Sequence, residues 1–159
     1  PLESRPTLFS AFNINFGEYY VENTPQLQLE ELLFPLQEVR SNQGHDPAGD
    51  RAGTQLEFGQ QLQKMEDQPG RYVLMVSVKT NNETSKNPPY QFAIEAYAVL
   101  NVTGAADQAA EQAVITSNGF PMIMGAIRER IAHLTSRAPW GRFLVNSIPL
   151  TPTATISYL

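Results

Sequence analysis

Apolar residues recur at spacings of four, four and three through residues 118–137, where Ile123, Ile127, Ile131 and Leu134 share one helical face with Met124 beside them. Arg128, Glu129 and His133 turn elsewhere, so the spacing predicts one long amphipathic helix over 118–137. Asn118 and Gly119 precede the apolar run and Pro121 falls in the first turn, where its missing N–H costs nothing. Arg128, Arg130 and Arg137 put positive charge toward the C-terminal end, which the helix dipole favours, and Pro139 forbids continuation. The alanine-rich stretch 104–116 predicts a short helix leading into the long one.

A different period rules the earlier chain. Phe12, Ile14 and Phe16 alternate with Asn13 and Asn15, which predicts a half-buried strand over 8–21, bent at Gly17 and closed by Asn23-Thr24-Pro25. Residues 27–39 hold Leu32, Leu33, Phe34 and Leu36 around Pro35, and the proline makes this stretch irregular by expectation. Three glycines, one proline and few apolar residues make 40–54 a mobile surface loop by the same reasoning. Leu56, Phe58 and Leu62 mark a second strand, and Asp67-Gln-Pro-Gly70 reads as a type II turn. The third strand, 72–80, is apolar on both faces up to Ser77, so it is expected to be central and covered on both sides. In the fourth, 90–102, Phe92, Ile94, Ala96, Ala98 and Leu100 face one way and Glu95 the other. After Arg137 no second long helix is predicted. The pattern gives one α+β domain over 1–159, a four-stranded antiparallel sheet packed against one long C-terminal helix.

Charge narrows the function. Net charge is −5 with 11 Lys and Arg in 159 residues, too few cations to cover a phosphate backbone, so nucleic acid is not expected. No run approaches a membrane span, and the start PLESRPTLFS has no signal-peptide blocks, so a cytoplasmic protein without membrane insertion is expected. The absence of cysteine removes disulfides and thiolate chemistry. His133 has Glu129 four residues before it but no evident third ligand, so no metal is expected, and no phosphate loop or nucleophile elbow appears. No cofactor and no enzymatic activity are expected; a small enzyme built on Glu95 has only that one carboxylate in an apolar strand behind it. What remains is apolar surface in broken segments, including Leu33, Phe34, Met122 and Trp140, of the kind that serves self-association or peptide binding.

Phe92-Ala-Ile-Glu95, Met122-Ile-Met-Gly-Ala-Ile-Arg-Glu129, Ser136-Arg137 and Val145-Asn-Ser-Ile-Pro-Leu150 carry a resemblance to the SecB export chaperones. The matching family motifs are Phe-x-x-Glu, Ile-Leu-Phe-Pro-Tyr-Ala-Arg-Glu and Leu-x-Pro-Val-Asn-Phe. Gly125 and Ala126 stand where the family has proline and tyrosine. The resemblance is to a divergent member lacking the second long helix. It implies an ATP-independent holdase for unfolded or precursor polypeptides, assembled as a dimer of dimers, with the SecA motor as a further partner. It also implies polypeptide contacts at Leu56 and Phe58, to which Leu33, Phe34, Met122 and Trp140 are added as candidates, and docking of a partner at Glu95. A non-catalytic assembly subunit with one dedicated partner is the alternative.

Overall fold

The computed structural model of the chain describes residues 24–50 and 53–145. The strand expected over 8–21, the tail 151–159 and residues 146–150 lie outside the described residues.

A four-stranded antiparallel sheet, β1 (Gln26–Ser41), β2 (Leu56–Lys64), β3 (Arg71–Thr80) and β4 (Tyr90–Thr103), has the order β1-β4-β3-β2. Residues 27–39, expected to be irregular, are instead most of β1, a 16-residue edge strand paired with β4. Pro35 is tolerated because it sits in a bulge, where two residues stand between Leu33 and Leu36 while Tyr97 and Glu95 are separated by one. A second bulge between Leu29 and Glu31 adds another bend. The extra residue in each case lets the leucines change face, which a strict period-two reading of this segment misses.

The β2–β3 turn has the expected chemistry: Arg71 N–H donates to Gln68 O at 3.2 Å across Pro69 and Gly70, and Gly70 has φ +75°. A Cβ at Gly70 would stand 2.3 Å from Val102 O, so only glycine fits this turn against the end of β4.

The helical layer is one run with a fault in it. Asp107 caps α1 (Gln108–Val114) by accepting from Ala110 N–H at 2.8 Å. A π turn over Ile115–Gly119 follows, and α2 (Phe120–Thr135) continues from it without a break. Asn118 and Gly119 therefore do not start a helix, as the sequence suggested; they lie within one. Pro121 lacks the N–H that would bond back one turn and its ring crowds the carbonyl there, and widening to a π turn relieves both. Phe120 N–H accordingly donates to Ile115 O, five residues back.

Phe120, Ile123, Met124, Ile127, Ile131 and Thr135 of α2 are buried against Tyr72, Leu74, Val76 and Val78 of β3 and Phe92 to Val102 of β4. Leu134, expected on this face, is 37% exposed, because it lies on the flank of the buried arc while Thr135 occupies its last turn. Thr135 is buried without penalty: its Oγ1 donates to Ile131 O at 2.8 Å and accepts from Phe143 N–H at 2.8 Å, which folds 136–143 back toward the core.

The loop over 42–50 and the one over 81–89 are cross-linked. Asn87 Oδ1 accepts from Asp46 N–H at 2.7 Å, Asn87 Nδ2 donates to Asp46 O at 2.8 Å, and Asn42 Nδ2 donates to Pro88 O at 2.7 Å. Arg40 and Ser41, placed in the loop 40–54 by composition, belong to β1. Side-chain amides, not buried area, hold the backbone of the described part of this stretch.

Candidate functional site

The helix covers one face of the sheet, and among the described residues nothing covers the other. Direct antiparallel partners point to the same face, so the register places Leu33, Leu36, Val73, Met75, Ala93, Tyr97 and Val99 together on the open side. Leu33 is 53% exposed and Tyr97 40%, and these two are cross-strand partners. The sequence expected both sides of β3 to be covered; β3 is central, but Val73 and Met75 on its outer side are only half-buried. A half-covered central strand is the main anomaly of the fold.

Glu95 stands in the middle of this face, opposite Ser77 on β3 and Leu36 on β1. Gly59 and Ser77 are too small to fill the space beside it, which leaves a shallow depression of about 300 Å³ lined also by Met75 and Tyr97. Three cations of the sheet are paired with other carboxylates: Arg40 with Glu38 at 2.6 Å, Arg71 with Glu30 at 2.5 Å and Lys79 with Glu57 at 2.8 Å. Glu95 has no ion-pair partner among the described residues, so its carboxylate is available to a ligand cation. The Lys79 ammonium is held above its ordinary pKa by the hydrogen bond to Glu57.

The remaining residues singled out from sequence divide between both faces. Leu56 and Phe58 are partners of Thr80 and Val78, so they lie on the helix side at the β2 edge, partly buried against the core. Phe34 also packs on the core, with the Arg130 guanidinium 6.0 Å from its ring centroid. Met122 is exposed on α2. Leu33 and Glu95 share the open face, and Leu56, Phe58 and Phe34 do not join them. Leu36, Val73, Met75, Tyr97 and Val99 were missed as site residues. The signal was present in the odd positions of β3 and β4, which are apolar at Val73, Met75, Ala93, Tyr97 and Val99, five places where a solvated face would be polar.

Trp140 has the most built surroundings. Its Nε1–H donates to Asn42 O at 3.0 Å, its backbone N–H donates to the Tyr90 phenol at 3.0 Å, and the phenol donates to Gly141 O at 2.7 Å. The His45 ring lies 5.1 Å from the indole, its Nδ1–H donating to Asn87 O at 2.9 Å. Burial pushes the Tyr90 phenol above its ordinary pKa, and the bond from Trp140 N–H offsets part of that rise. Trp140 is thus a clasp joining the chain after α2 to the cross-linked loops. Tyr90→Phe removes both bonds of the phenol and is expected to destabilise the protein by about 1–3 kcal/mol. The fluorescence of Trp140, the one tryptophan, should shift to the red as the indole loosens; a melt and spectrum identical to the parent would remove Tyr90 from the clasp.

Arg128, Glu129, His133, Ser136 and Arg142 line an open groove on the outer side of α2. Among the described residues no group of three or more His, Cys, Asp or Glu is placed to hold a metal ion, and no helix is long and apolar enough to cross a membrane.

No protein-family model matches the chain, and no curated protein matches it. Among solved structures, a SecB-like chaperone of Mycobacterium tuberculosis in complex with a ChAD peptide from the HigA1 antitoxin superposes with a TM-score of 0.56 at 14% identity. That match covers 77% of this chain and 90% of the other. A protein of unknown function from Streptococcus agalactiae is matched with a TM-score of 0.43 at 9% identity, over 79% of this chain and 99% of that one. With a four-stranded antiparallel sheet in the order β1-β4-β3-β2 and one long helix across a single face, the chain has the SecB-like fold.

Proposed function

We propose that this chain is an ATP-independent chaperone that binds non-native polypeptide on its open sheet face. The observation that carries the reading is the apolar outer side of the central strands, with Leu33 and Tyr97 exposed on it and no described element covering it. A face of this kind takes an extended segment through many weak apolar contacts, and the unpaired Glu95 in the depression beside Met75 and Tyr97 favours a segment that also carries a cation. Leu56 and Phe58 at the β2 edge extend the apolar contact to the helix side. The edge strand β2 offers backbone groups for strand addition. The SecB-like fold supports the reading, and so does the peptide bound to the mycobacterial chaperone.

Self-association belongs to the same proposal, since a second copy also covers apolar surface; a dimer of dimers is the assembly proposed. Docking to the SecA motor through Glu95 and a cytoplasmic location complete it. The rival is a subunit dedicated to one partner, favoured by the fact that the mycobacterial chaperone was solved with a peptide from one antitoxin.

The test is aggregation of several unrelated slow-folding proteins with and without the purified chain, no nucleotide being added. Suppression of most of them at near-stoichiometric ratios is expected. A chain that ignores all of them yet binds a single partner tightly is the dedicated subunit, and one that remains a monomer near 17.7 kDa at tens of micromolar in sedimentation loses the oligomer.

A further inference from the structure

Arg142 stands at the junction of two surface depressions, and no ion pair holds it among the described residues. One is the groove along the outer side of α2. The other is a cavity of about 490 Å³ at the Trp140 clasp, within the size range of small-ligand sites, about 300–1,000 Å³. Trp140, His45 and Phe143 form its aromatic walls, and Pro47, Pro89 and Pro139 the rest. The indole is 36% exposed yet held in place: Asn42 O accepts its Nε1–H at 3.0 Å, and the His45 ring 5.1 Å away is itself fixed by Asn87. Phe143 is fixed in turn against Tyr90 and Phe92, at 6.5 and 5.4 Å between ring centroids. A ring entering the cavity therefore meets aromatic surface that is already ordered, so little conformational freedom is lost on binding.

We infer that this cavity binds a small aromatic carboxylate, its ring against Trp140 and Phe143 and its carboxylate on the Arg142 guanidinium. Charge selects the anion. Among the described residues Arg142 is the one arginine or lysine lining the cavity and no Asp or Glu lines it, and a guanidinium pairs a planar carboxylate through two parallel N–H donors. Glu129 shares the neighbouring groove with Arg142 but not this cavity. In a chain of net charge −5, whose overall field repels anions, an acid-free hollow with an arginine in its wall is where an anion is least opposed. One cation matches a monoanion, and a dianion would leave a charge unmatched. The prolines select a free molecule over a peptide: Pro47, Pro89 and Pro139 have no N–H, so these walls offer no backbone donors to an extended chain. A ligand whose polar group is a single carboxylate needs none there. Phe143 packs on Phe92 of the core beneath α2, so the cavity lies on the helix side of the sheet and is separate from whatever binds the open face.

Trp140 is the one tryptophan, so its emission reports on the cavity directly. Titrating the full chain with phenylacetate should change that emission saturably at millimolar or lower concentration. Phenylacetamide, the neutral isostere, should bind about tenfold or more weakly, because it forfeits the charge-assisted pair with Arg142. Acetate, the anion without the ring, should not saturate in the same range. Arg142→Gln should melt with the parent, since the side chain is exposed and no ion pair holds it among the described residues, and it should bind acid and amide alike. Arg137→Gln, at an exposed arginine that lines neither depression, should keep the parent's preference. Equal binding of acid and amide by the parent would overturn the assignment. So would a folded Arg142→Gln chain that still prefers the acid, or an emission that never saturates with phenylacetate. A tripeptide ending in phenylalanine that bound more tightly than the free acid would give the cavity to a chain end and overturn it as well.

Discussion

Ile127→Asp is expected to unfold the protein, while Arg128→Asp one residue along leaves the fold nearly intact. Ile127 is fully buried beneath α2, against β3 and β4, and its neighbours in the arc, Ile123, Met124 and Ile131, are fully buried as well. A carboxylate there has no hydrogen-bond donor to meet it, since the facing positions of the sheet are aliphatic or aromatic. Burying it unpaired costs several kcal/mol, comparable with the whole stability of a domain of this size. Arg128 is exposed on the other side of the helix, in the groove with Glu129 and Arg142, where reversing a charge changes stability by a few tenths of a kcal/mol to about 1. Thermal melts by circular dichroism compare the two directly. If Ile127→Asp melted within a degree or two of Arg128→Asp, the helix would have been assigned the wrong face.

That helix face was legible because one period held from Ile123 through Ile127 to Ile131, and these three needed no context to be read as buried. The same holds for β3 and β4, whose even positions are almost all apolar. β1 was not legible, for two physical reasons. Each bulge inserts one residue and inverts the alternation beyond it, so Leu29, Leu32, Leu33 and Leu36 do not form a single stripe in sequence although they form two clean faces in the fold. Pro35 then counted against any strand, when it excludes only a central one. The start of α2 failed in the opposite sense: Asn118, Gly119 and Pro121 are ordinary start signals, and only the preceding helical residues, α1 and the π turn, overrule them. For the proposed binding surface, broken segments drew attention to Phe34 and Trp140, which the fold gives partners. The regular strands meanwhile carried the open apolar face at positions whose exposure depends on whether a second layer exists. Period alone cannot report a missing layer.

The last expected result decides between the two faces as the site of the polypeptide binding proposed above. Leu33→Ser with Tyr97→Ser removes two exposed, directly opposed side chains from the open face. Neither is part of the core, so the double variant should melt within about 1 kcal/mol of the parent, as exposed substitutions do. If both are anchors, affinity for a fluorescent unfolded peptide should fall by about 1–3 kcal/mol for each, together at least about thirtyfold, since a few large side chains dominate such contacts. Phe34→Ser with Phe58→Ser is the companion variant. Both rings pack against the core, so its expected signature is a lowered melt, with any loss of binding following the loss of fold. A folded Leu33/Tyr97 variant with unchanged affinity would take the peptide off the open face. Were the Phe34/Phe58 variant then folded but unable to bind, the contact would belong instead on the helix side, where β2 leaves Leu56 and Phe58 partly uncovered.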